Sequence, residues 1–211
     1  MTLQQTLKIV ESPIARELRH AVAISDRLHT CPRLPDVPVE ITHSRLEEGA
    51  YHSLSRPNRP VKIEVSLNAH APALTILHEI GHLLDHMVLS PLKQQFGSEY
   101  DSNFEQLWHV WRTSHINRKL ETLLHRKRST LSPAQRRYLR YQLLPSELWA
   151  RTYTQWVVVR SDDILLVSQF RTLQIPETPD LAHRRSFFWD GQDRDRIINA
   201  ADDLFSRAGL R

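Results

Sequence analysis

The segment from about residue 72 to residue 89 constrains the fold most strongly, because it reads as a helix that is apolar on most sides. Its apolar positions recur every three or four residues, and Pro72 stands where a first-turn proline is favoured. A helix of this kind is normally buried in a protein core. The polar residues that interrupt it are His78, Glu79, His82 and Asp85. Because burying polar side chains without partners is costly, the pattern predicts that these side chains meet partners inside the protein.

The spacing of residues 78–82, which read His-Glu-Ile-Gly-His, suits a metal-dependent hydrolase. Positions four apart share one face of a helix, so His78 and His82 can bind the same divalent cation. Glu79 projects about 100° around the helix axis from His78, where it can handle a proton on metal-bound water. The pattern therefore predicts a metal ion in the core-facing side of this helix. Zinc is the metal that these ligands favour, and other divalent ions also fit them.

Two histidines leave a catalytic zinc one protein ligand short, and the sequence offers two carboxylates for that position. Asp85 lies on the same face of the helix but about 10.5 Å along the axis from His78, too far for a short side chain. It is only three residues from His82, so support of an imidazole by a hydrogen bond is its more natural role. Glu147, at the start of a later helix, is the better candidate ligand. It also fits the role of complementing the helix dipole, and spacing leaves both roles open.

Local patterns predict an α+β fold in which a small, partly antiparallel sheet packs on the motif helix. Residues 61–68 alternate apolar and polar, which is typical of a half-buried strand, and 37–42 form a second strand candidate. If strand 61–67 is a sheet edge, an extended peptide could pair with its backbone. Residues 3–29 read as mainly helical, with a break at Pro13. The C-terminal half reads as helices that begin near Ser102, Ser132 and Ser146, followed by a last helix over 193–208.

Length and composition indicate one domain of 211 residues. We divide it into an N-terminal helical segment (1–36), the sheet with the motif helix (37–90) and a helical part with the third ligand (91–211). No stretch approaches 18 apolar residues and the N-terminus lacks the apolar core of a secretion signal, so we expect no membrane span and a cytoplasmic protein. Cys31 is the only cysteine, which excludes an internal disulfide and a cysteine zinc cluster. The sequence does not specify an oligomeric state.

Positive charge is concentrated in residues 112–140, where nine Lys or Arg accompany one acid, Glu121, in a chain of net charge +4. A solvated helical face is the ordinary interpretation of such a stretch. The alternative is a surface that contacts nucleic acid or an acidic partner. Neither a zinc-finger nor an RNA-recognition signature accompanies it.

The sequence resembles the zincin-like metallopeptidases of phages, prophages and other mobile elements, of the gluzincin type. The matching segments are the alternating strand followed by 77–85, 146–151, 188–190 and 197–205. The likeness covers residues 37–208 and is most specific at the first His/Glu segment. It implies that His78 and His82 bind zinc, that Glu79 is the general base, and that Glu147 is the third ligand.

One departure from that family concerns the residue four positions after the ligand Glu, where many gluzincins carry an acid and this chain has Arg151. Two interpretations are open: Asp85 takes over the supporting role, or the third ligand is a different residue. The donors considered for a tetrahedral oxyanion are Tyr153, His109, His115 and Arg151, of which Tyr153 is assigned as the candidate catalytic residue. We expect His115 to pack in the core near Trp111, and His86 to be a surface histidine.

The function expected from these features is a zinc-dependent metallopeptidase that hydrolyses peptide bonds of a cytoplasmic protein by metal-activated water. One alternative is a regulatory zincin that binds or cleaves a transcription repressor. Another is a non-enzymatic, zinc-bound scaffold that contacts nucleic acid through residues 112–140. The three hypotheses share the metal site or its residues and differ in substrate and partner.

Overall fold

A four-stranded sheet and a set of helices build the protein, which a computed structural model describes for residues 2–55, 58–90, 96–126, 131–174 and 188–211. The strands are β1 (Leu7–Ile9), β2 (Val37–Thr42), β3 (Gly49–Ser55) and β4 (Asn58–Ser66). The helices are α1 (Leu3–Thr6), α2 (Ala15–Leu28), α3 (Pro72–Met87), α4 (Gly97–Tyr100), α5 (Glu105–Thr113), α6 (His115–Arg126), α7 (Pro133–Gln142), α8 (Pro145–Ser161), α9 (Ile164–Gln174) and α10 (Gly191–Arg207). The predicted α+β class, with a small mixed sheet and a mostly helical second half, is confirmed.

The strand order is β1-β2-β4-β3, with parallel pairing of β1 with β2 and of β2 with β4, and antiparallel pairing of β3 with β4. The predicted alternating strand is β4, and its Ile63 and Val65 are buried in the core. It is not the sheet edge that we considered, because β3 pairs along its other side. The edge beside the motif helix is therefore β3, a strand that the sequence analysis did not predict.

The N-terminal segment, predicted as mainly helical with a break at Pro13, is helical after that proline but contains a strand before it. Residues 3–6 make a single helical turn, and the Asp26 carboxylate accepts hydrogen bonds from the backbone N–H groups of Leu3 and Gln4. The chain then forms β1, whose Leu7 is in register with Val37 of β2. Pairing with β2 satisfies these backbone groups, which is a non-local gain that helical periodicity does not reveal.

Helix α3 occupies the centre of the core, as its apolar pattern predicted. It packs on α2, α8 and α9 and on strands β3 and β4, and Ile76, Leu77, Ile80, Leu83 and Leu84 are all fully buried. Pro72 is at the first helical turn as predicted. The helix therefore fixes its polar side chains against neighbours on several sides.

The helices of the second half begin at slightly different places from those predicted. The Ser132 capping box with Gln135 is confirmed. The capping box predicted at Ser102 is absent from the structure, where Asp101 caps a short 3-10 turn instead. Helix α8 begins at Pro145 and has no side-chain cap, which leaves Ser146 and Glu147 inside its first turn. Among the helices that the structure describes, none has both the length and the apolar character that a bilayer crossing requires.

Candidate metal centre

Helix α3 presents His78, Glu79 and His82 toward one cleft. Their burial differs: the His78 side chain is 25% exposed, whereas that of His82 is 9% exposed and Glu79 is 5% exposed. The two imidazole rings meet edge to face, with ring centroids 4.9 Å apart. Their spacing of four residues therefore places both rings on one face, as the sequence predicted.

Glu147, from the first turn of α8, joins the two histidines. Its Oε2 lies 3.3 Å from His78 Nε2, and its Oε1 lies 3.1 Å from His82 Nε2. The three ligand atoms lie within 4.8 Å of one another. In a tetrahedral zinc site with bonds of about 2.0 Å, neighbouring ligand atoms are about 3.3 Å apart. The spacing of these donors therefore suits a zinc ion.

A close crossing of α3 and α8 brings Glu147 within reach. A Cβ added to Gly81 would lie 2.9 Å from Ala150 Cα, so only glycine permits this approach. The indole N–H of Trp149 donates a hydrogen bond of 2.9 Å to the Gly81 carbonyl oxygen at the same crossing. The prediction that something packs closely on Gly81 is confirmed, and the neighbour is the backbone of the helix that carries Glu147.

The contacts of Glu147 set the charges of the cluster. Burial alone would raise the pKa of this carboxyl, but the hydrogen bonds and positive charges of His78 and His82 outweigh it and hold the pKa well below its usual range. Burial likewise opposes a charge on His82, and Glu147 outweighs it and raises the His82 pKa. Glu147 therefore stays ionised, and its carboxylate favours a cation among the three side chains.

Glu79 is the acid of the motif that does not enter this cluster. Burial is the main cause that raises its pKa, and none of the described residues donates a hydrogen bond to its carboxylate. On the sheet side it faces Gly49, where an added Cβ would lie 2.8 Å from Glu79 Oε1 and 2.6 Å from Thr75 Cγ2. The first residue of edge strand β3 therefore lies directly against the proposed base.

Tyr141, at the end of α7, is a site residue that the sequence analysis missed. The residue is 47% exposed, and its hydroxyl end is turned inward toward Glu147. Burial raises the pKa of the phenol, and the negative charge of Glu147 raises it further. The available signal was its position six residues before Glu147, across the short turn that Pro145 ends.

The assignment of Tyr153 as a catalytic donor is wrong. It follows Glu147 by six residues on the same helix, which is about 9 Å along the axis. Its side chain is fully buried, and its hydroxyl lies 2.8 Å from His29 Nε2 on the opposite side of the core. A substrate in the cleft cannot reach this group.

The other proposed donors are also occupied or exposed. Arg151 is buried, and its guanidinium donates to the carbonyl oxygens of Gln142 and Glu147 and stacks on the Trp189 ring. His109 and His115 are exposed on α5 and α6, so the prediction that His115 packs in the core is wrong. Tyr141 is therefore the best placed of the described hydroxyl or cationic donors.

Asp85 does not support an imidazole as predicted. It is fully buried and accepts hydrogen bonds from the backbone N–H of Ser98, at 2.7 Å, and from the Ser98 hydroxyl. Burial raises its pKa to about 7 despite these donors. Nδ1 of His82 is buried without a hydrogen-bond partner among the described residues. Asp85 therefore anchors α4 to α3.

This anchor holds Phe96 at the N-terminal end of α4, against the site. The Phe96 ring centroid is 5.8 Å from that of His82 and 5.8 Å from that of His86. His86 is buried, not a surface histidine, and its Nδ1 is hydrogen-bonded to the Tyr51 hydroxyl of β3 at 2.7 Å. Burial lowers the His86 pKa, so the ring is neutral at pH 7. The Phe96 ring and the neutral His86 ring therefore cover this side of the metal-ligand cluster.

Comparison with known proteins found no match to this chain among family models, curated proteins or solved structures. Its site must therefore be interpreted from its own geometry and chemistry.

Proposed function

We propose that the protein is a zinc-dependent metallopeptidase. The observation that carries the proposal is the convergence of His78 Nε2, His82 Nε2 and a Glu147 carboxylate oxygen within 4.8 Å, beside a buried acid, Glu79, that takes no part in the cluster. Two imidazoles and a carboxylate are a common ligand set of catalytic zinc sites, which leave the fourth position to water or substrate. The proposal extends the resemblance to gluzincin-type proteins, and it does not depend on Tyr153 or Asp85.

The donor set fits zinc for two reasons. Nitrogen and oxygen ligands at this spacing match tetrahedral geometry, and the chain offers a permanent negative charge at Glu147 to offset the charge of the ion. When bound, zinc lowers the pKa of water toward 7 and polarises a substrate carbonyl. His78, with the most exposed side chain of the three, faces the open side of the cleft.

Glu79 accepts a proton from the attacking water and passes it to the leaving amine. Its raised pKa suits both transfers, since a base works best when its pKa approaches the pH of reaction. Gly49 keeps the space beside its carboxylate free of a side chain. The proposed base, Glu79, is therefore buried, receives no hydrogen bond from the described residues and lies next to the sheet edge.

Tyr141 supplies the oxyanion donor in this proposal. A phenol with a raised pKa remains protonated and can donate to a developing negative charge. The hydroxyl lies near Glu147, across the turn between α7 and α8. A carbonyl held between Tyr141 and Glu79 would have its donor and its base on different sides.

Strand β3 provides a surface on which an extended peptide can bind. It is the edge of the sheet, and its N-terminal residue Gly49 contacts Glu79. Backbone N–H and C=O groups on an edge can pair with an added strand. The substrate class that we propose is accordingly an extended polypeptide segment, of a protein in a reducing compartment such as the cytoplasm.

The test is hydrolysis by Glu79→Gln compared with the wild-type protein on a proteome-derived peptide library. Glutamine has nearly the same shape but cannot accept the proton, so cleavage should fall at least a hundredfold while the metal content stays the same. Cleavage by the variant at the wild-type rate would contradict the role of Glu79. Absence of cleavage by metal-loaded wild type would contradict the peptidase assignment.

A further inference from the structure

The pair of helices α6 and α7 carries a strongly asymmetric charge. Residues 112–140 contain nine of the 28 Lys and Arg of the chain but one of its 24 acids, so the remainder is net acidic. Lys127 and Arg128 lie outside the described residues. The two helices pack on each other, on α5 and on α8, and their few buried apolar residues, such as Leu120 and Leu139, are not part of the main core. They form an appended hairpin with a basic surface.

Four cations of this hairpin have no acidic partner among the described residues. Arg118, Lys119, Arg137 and Arg140 are exposed, and none of the described carboxylates pairs with them. The guanidinium of Arg118 donates to the carbonyl oxygen of Thr113, which leaves its charge uncompensated.

Several cations elsewhere in the described chain do have acidic partners. On and around α10, Arg194 pairs with Asp195 at 2.9 Å, and both Arg160 and Arg211 contact Asp202. Near the sheet, Lys62 bonds Glu40 at 2.8 Å. The four exposed cations of the hairpin lack such a partner among the described carboxylates, so their charge can attract an anionic ligand.

The basic surface leads directly into the candidate site. Arg137 and Arg140 precede Tyr141 on α7 by four residues and one residue, so they lie within about 6 Å of it along the helix axis. Helix α8 begins at Pro145, three residues after the end of α7, and its Glu147 lies 3.3 and 3.1 Å from the two imidazole nitrogens. The two arginines therefore lie on the helix that leads into the candidate site, outside the proposed zinc centre.

We propose that the hairpin binds an acidic segment of the polypeptide substrate, next to the bond that is cleaved; this rests on the proposed peptidase function. An extended chain advances about 3.3 Å per residue. Side chains that contact Arg137 and Arg140 therefore lie about two to five residues from the scissile bond. Acidic residues of the substrate at those positions are attracted by the two arginines, while its neutral residues occupy the cleft.

The proposed function favours a polypeptide over nucleic acid as the ligand of this surface. A nucleic acid carries a phosphate at every nucleotide, whereas the substrate must present an uncharged peptide bond at the metal-ligand cluster. A polypeptide can place acids at one end of a short segment and uncharged residues at the other. The described hairpin surface also offers no row of exposed aromatic rings on which bases could stack.

The test compares Arg137→Gln/Arg140→Gln with a matched control, Arg33→Gln/Arg171→Gln, which removes two exposed cations elsewhere. In cleavage of a proteome-derived peptide library, wild type and the control should show Asp and Glu enriched at least threefold two to five residues from the cleaved bond. The hairpin variant should lose this enrichment. Equal enrichment in all three proteins, or none in wild type, would overturn the proposal.

A binding measurement separates this proposal from the peptidase assignment. Fluorescence anisotropy is recorded for a labelled peptide with four Glu, for its four-Gln counterpart and for single-stranded and duplex DNA of 20 nucleotides. The Glu peptide should bind roughly three- to tenfold more weakly to the hairpin variant than to wild type, and the preference should vanish at high salt. Hairpin-dependent binding without cleavage would remove only the enzyme assignment. DNA bound more tightly than the Glu peptide, through the same arginines, would overturn the acidic-substrate proposal.

Discussion

Substitution of Gly81 by alanine tests whether the crossing of α3 and α8 sets the spacing of the metal ligands. The added Cβ would lie 2.9 Å from Ala150 Cα and 3.4 Å from Ala150 Cβ and O. Carbon atoms in contact prefer about 3.5 to 4.0 Å, so the helices must separate by about 0.6 Å or more. Since the closest atom belongs to the backbone, no side-chain rotation can relieve the contact.

The expected loss of stability is modest, because two effects oppose each other. Overpacking of a core costs about 1–3 kcal/mol. Replacing glycine with alanine inside a helix stabilises the helix by about 1 kcal/mol. The hydrogen bond from Trp149 to the Gly81 carbonyl, now 2.9 Å, would lengthen and weaken. The free energy of unfolding of the metal-free variant should therefore fall by about 0–2 kcal/mol.

Zinc affinity should be affected more clearly than the free energy of unfolding. His82 Nε2 and the Glu147 oxygen are now 3.1 Å apart, and metal–ligand distances tolerate shifts of only about 0.2 Å. Separation of the two helices should weaken zinc binding about tenfold or more, as loss of supporting contacts does in other metal sites. Competition with a chelator of known affinity measures this change, and denaturant unfolding of the metal-free protein measures stability.

Two companion variants sharpen the test. Ala150→Gly leaves the approach of the helices intact and should keep its zinc affinity. The double variant Gly81→Ala/Ala150→Gly should not recover affinity, because Ala150 Cα stays in place. Zinc binding by Gly81→Ala at wild-type strength would refute the reasoning that this crossing positions Glu147.

Other substitutions test the remaining parts of the site. Tyr141→Phe should lower kcat about a hundredfold, since it removes the proposed oxyanion donor. Gly49→Ala should lower kcat/KM and retain zinc, because its Cβ would lie 2.8 Å from Glu79 Oε1 and must displace the base or β3. Asp85→Asn should flatten the pH dependence of unfolding of the metal-free protein between about pH 4 and 7. The folded pKa of Asp85, about 7, lies above that of an unfolded Asp, so the stability that this group contributes at low pH is lost as the pH rises through that interval. The slope should fall by up to about 1.4 kcal/mol per pH unit.

Each of these expectations has an outcome that contradicts it. A Tyr141→Phe enzyme with unchanged kcat would exclude the phenol as donor. Full activity of Gly49→Ala would show that the space beside Glu79 is not needed. An unfolding profile of Asp85→Asn that keeps the wild-type slope between pH 4 and 7 would show that Asp85 is already ionised in the folded protein.

The motif helix was predictable because its information is local. The 3.6-residue period of apolar side chains in α3 identifies a buried helix, and a spacing of four places His78 and His82 on one face. Gly81 in the middle of such a helix indicated a close neighbour. The identity of that neighbour, Ala150, depends on tertiary packing and could not be read from the sequence.

The sheet was less predictable because strand pairing is non-local. β1 has three residues and follows a helical turn directly, so its side chains fit a helical period as well as a strand. The order β1-β2-β4-β3 depends on which backbone groups find partners, not on the alternation within one strand. A sheet edge was consequently considered for the strand with the clearest pattern, β4, whereas the edge strand on that side is β3.

The two tyrosines show the same limit at the site. Tyr153 shares a helix with Glu147, and sequence proximity favoured it, but six residues along a helix lead away from the ligand and into the core. Tyr141 is equally distant in sequence on the other side, and the turn before Pro145 folds it back toward the carboxylate. Only the direction of the chain between the helices distinguishes them.

Elemental analysis of purified protein tests the central claim most directly, with wild type compared with Glu147→Ala. The account predicts one zinc per chain in the wild-type protein, and a strong loss of zinc in the variant because two imidazoles alone hold the ion weakly. Undiminished metal in Glu147→Ala, or a wild-type protein that binds no divalent metal when zinc is supplied, would contradict it.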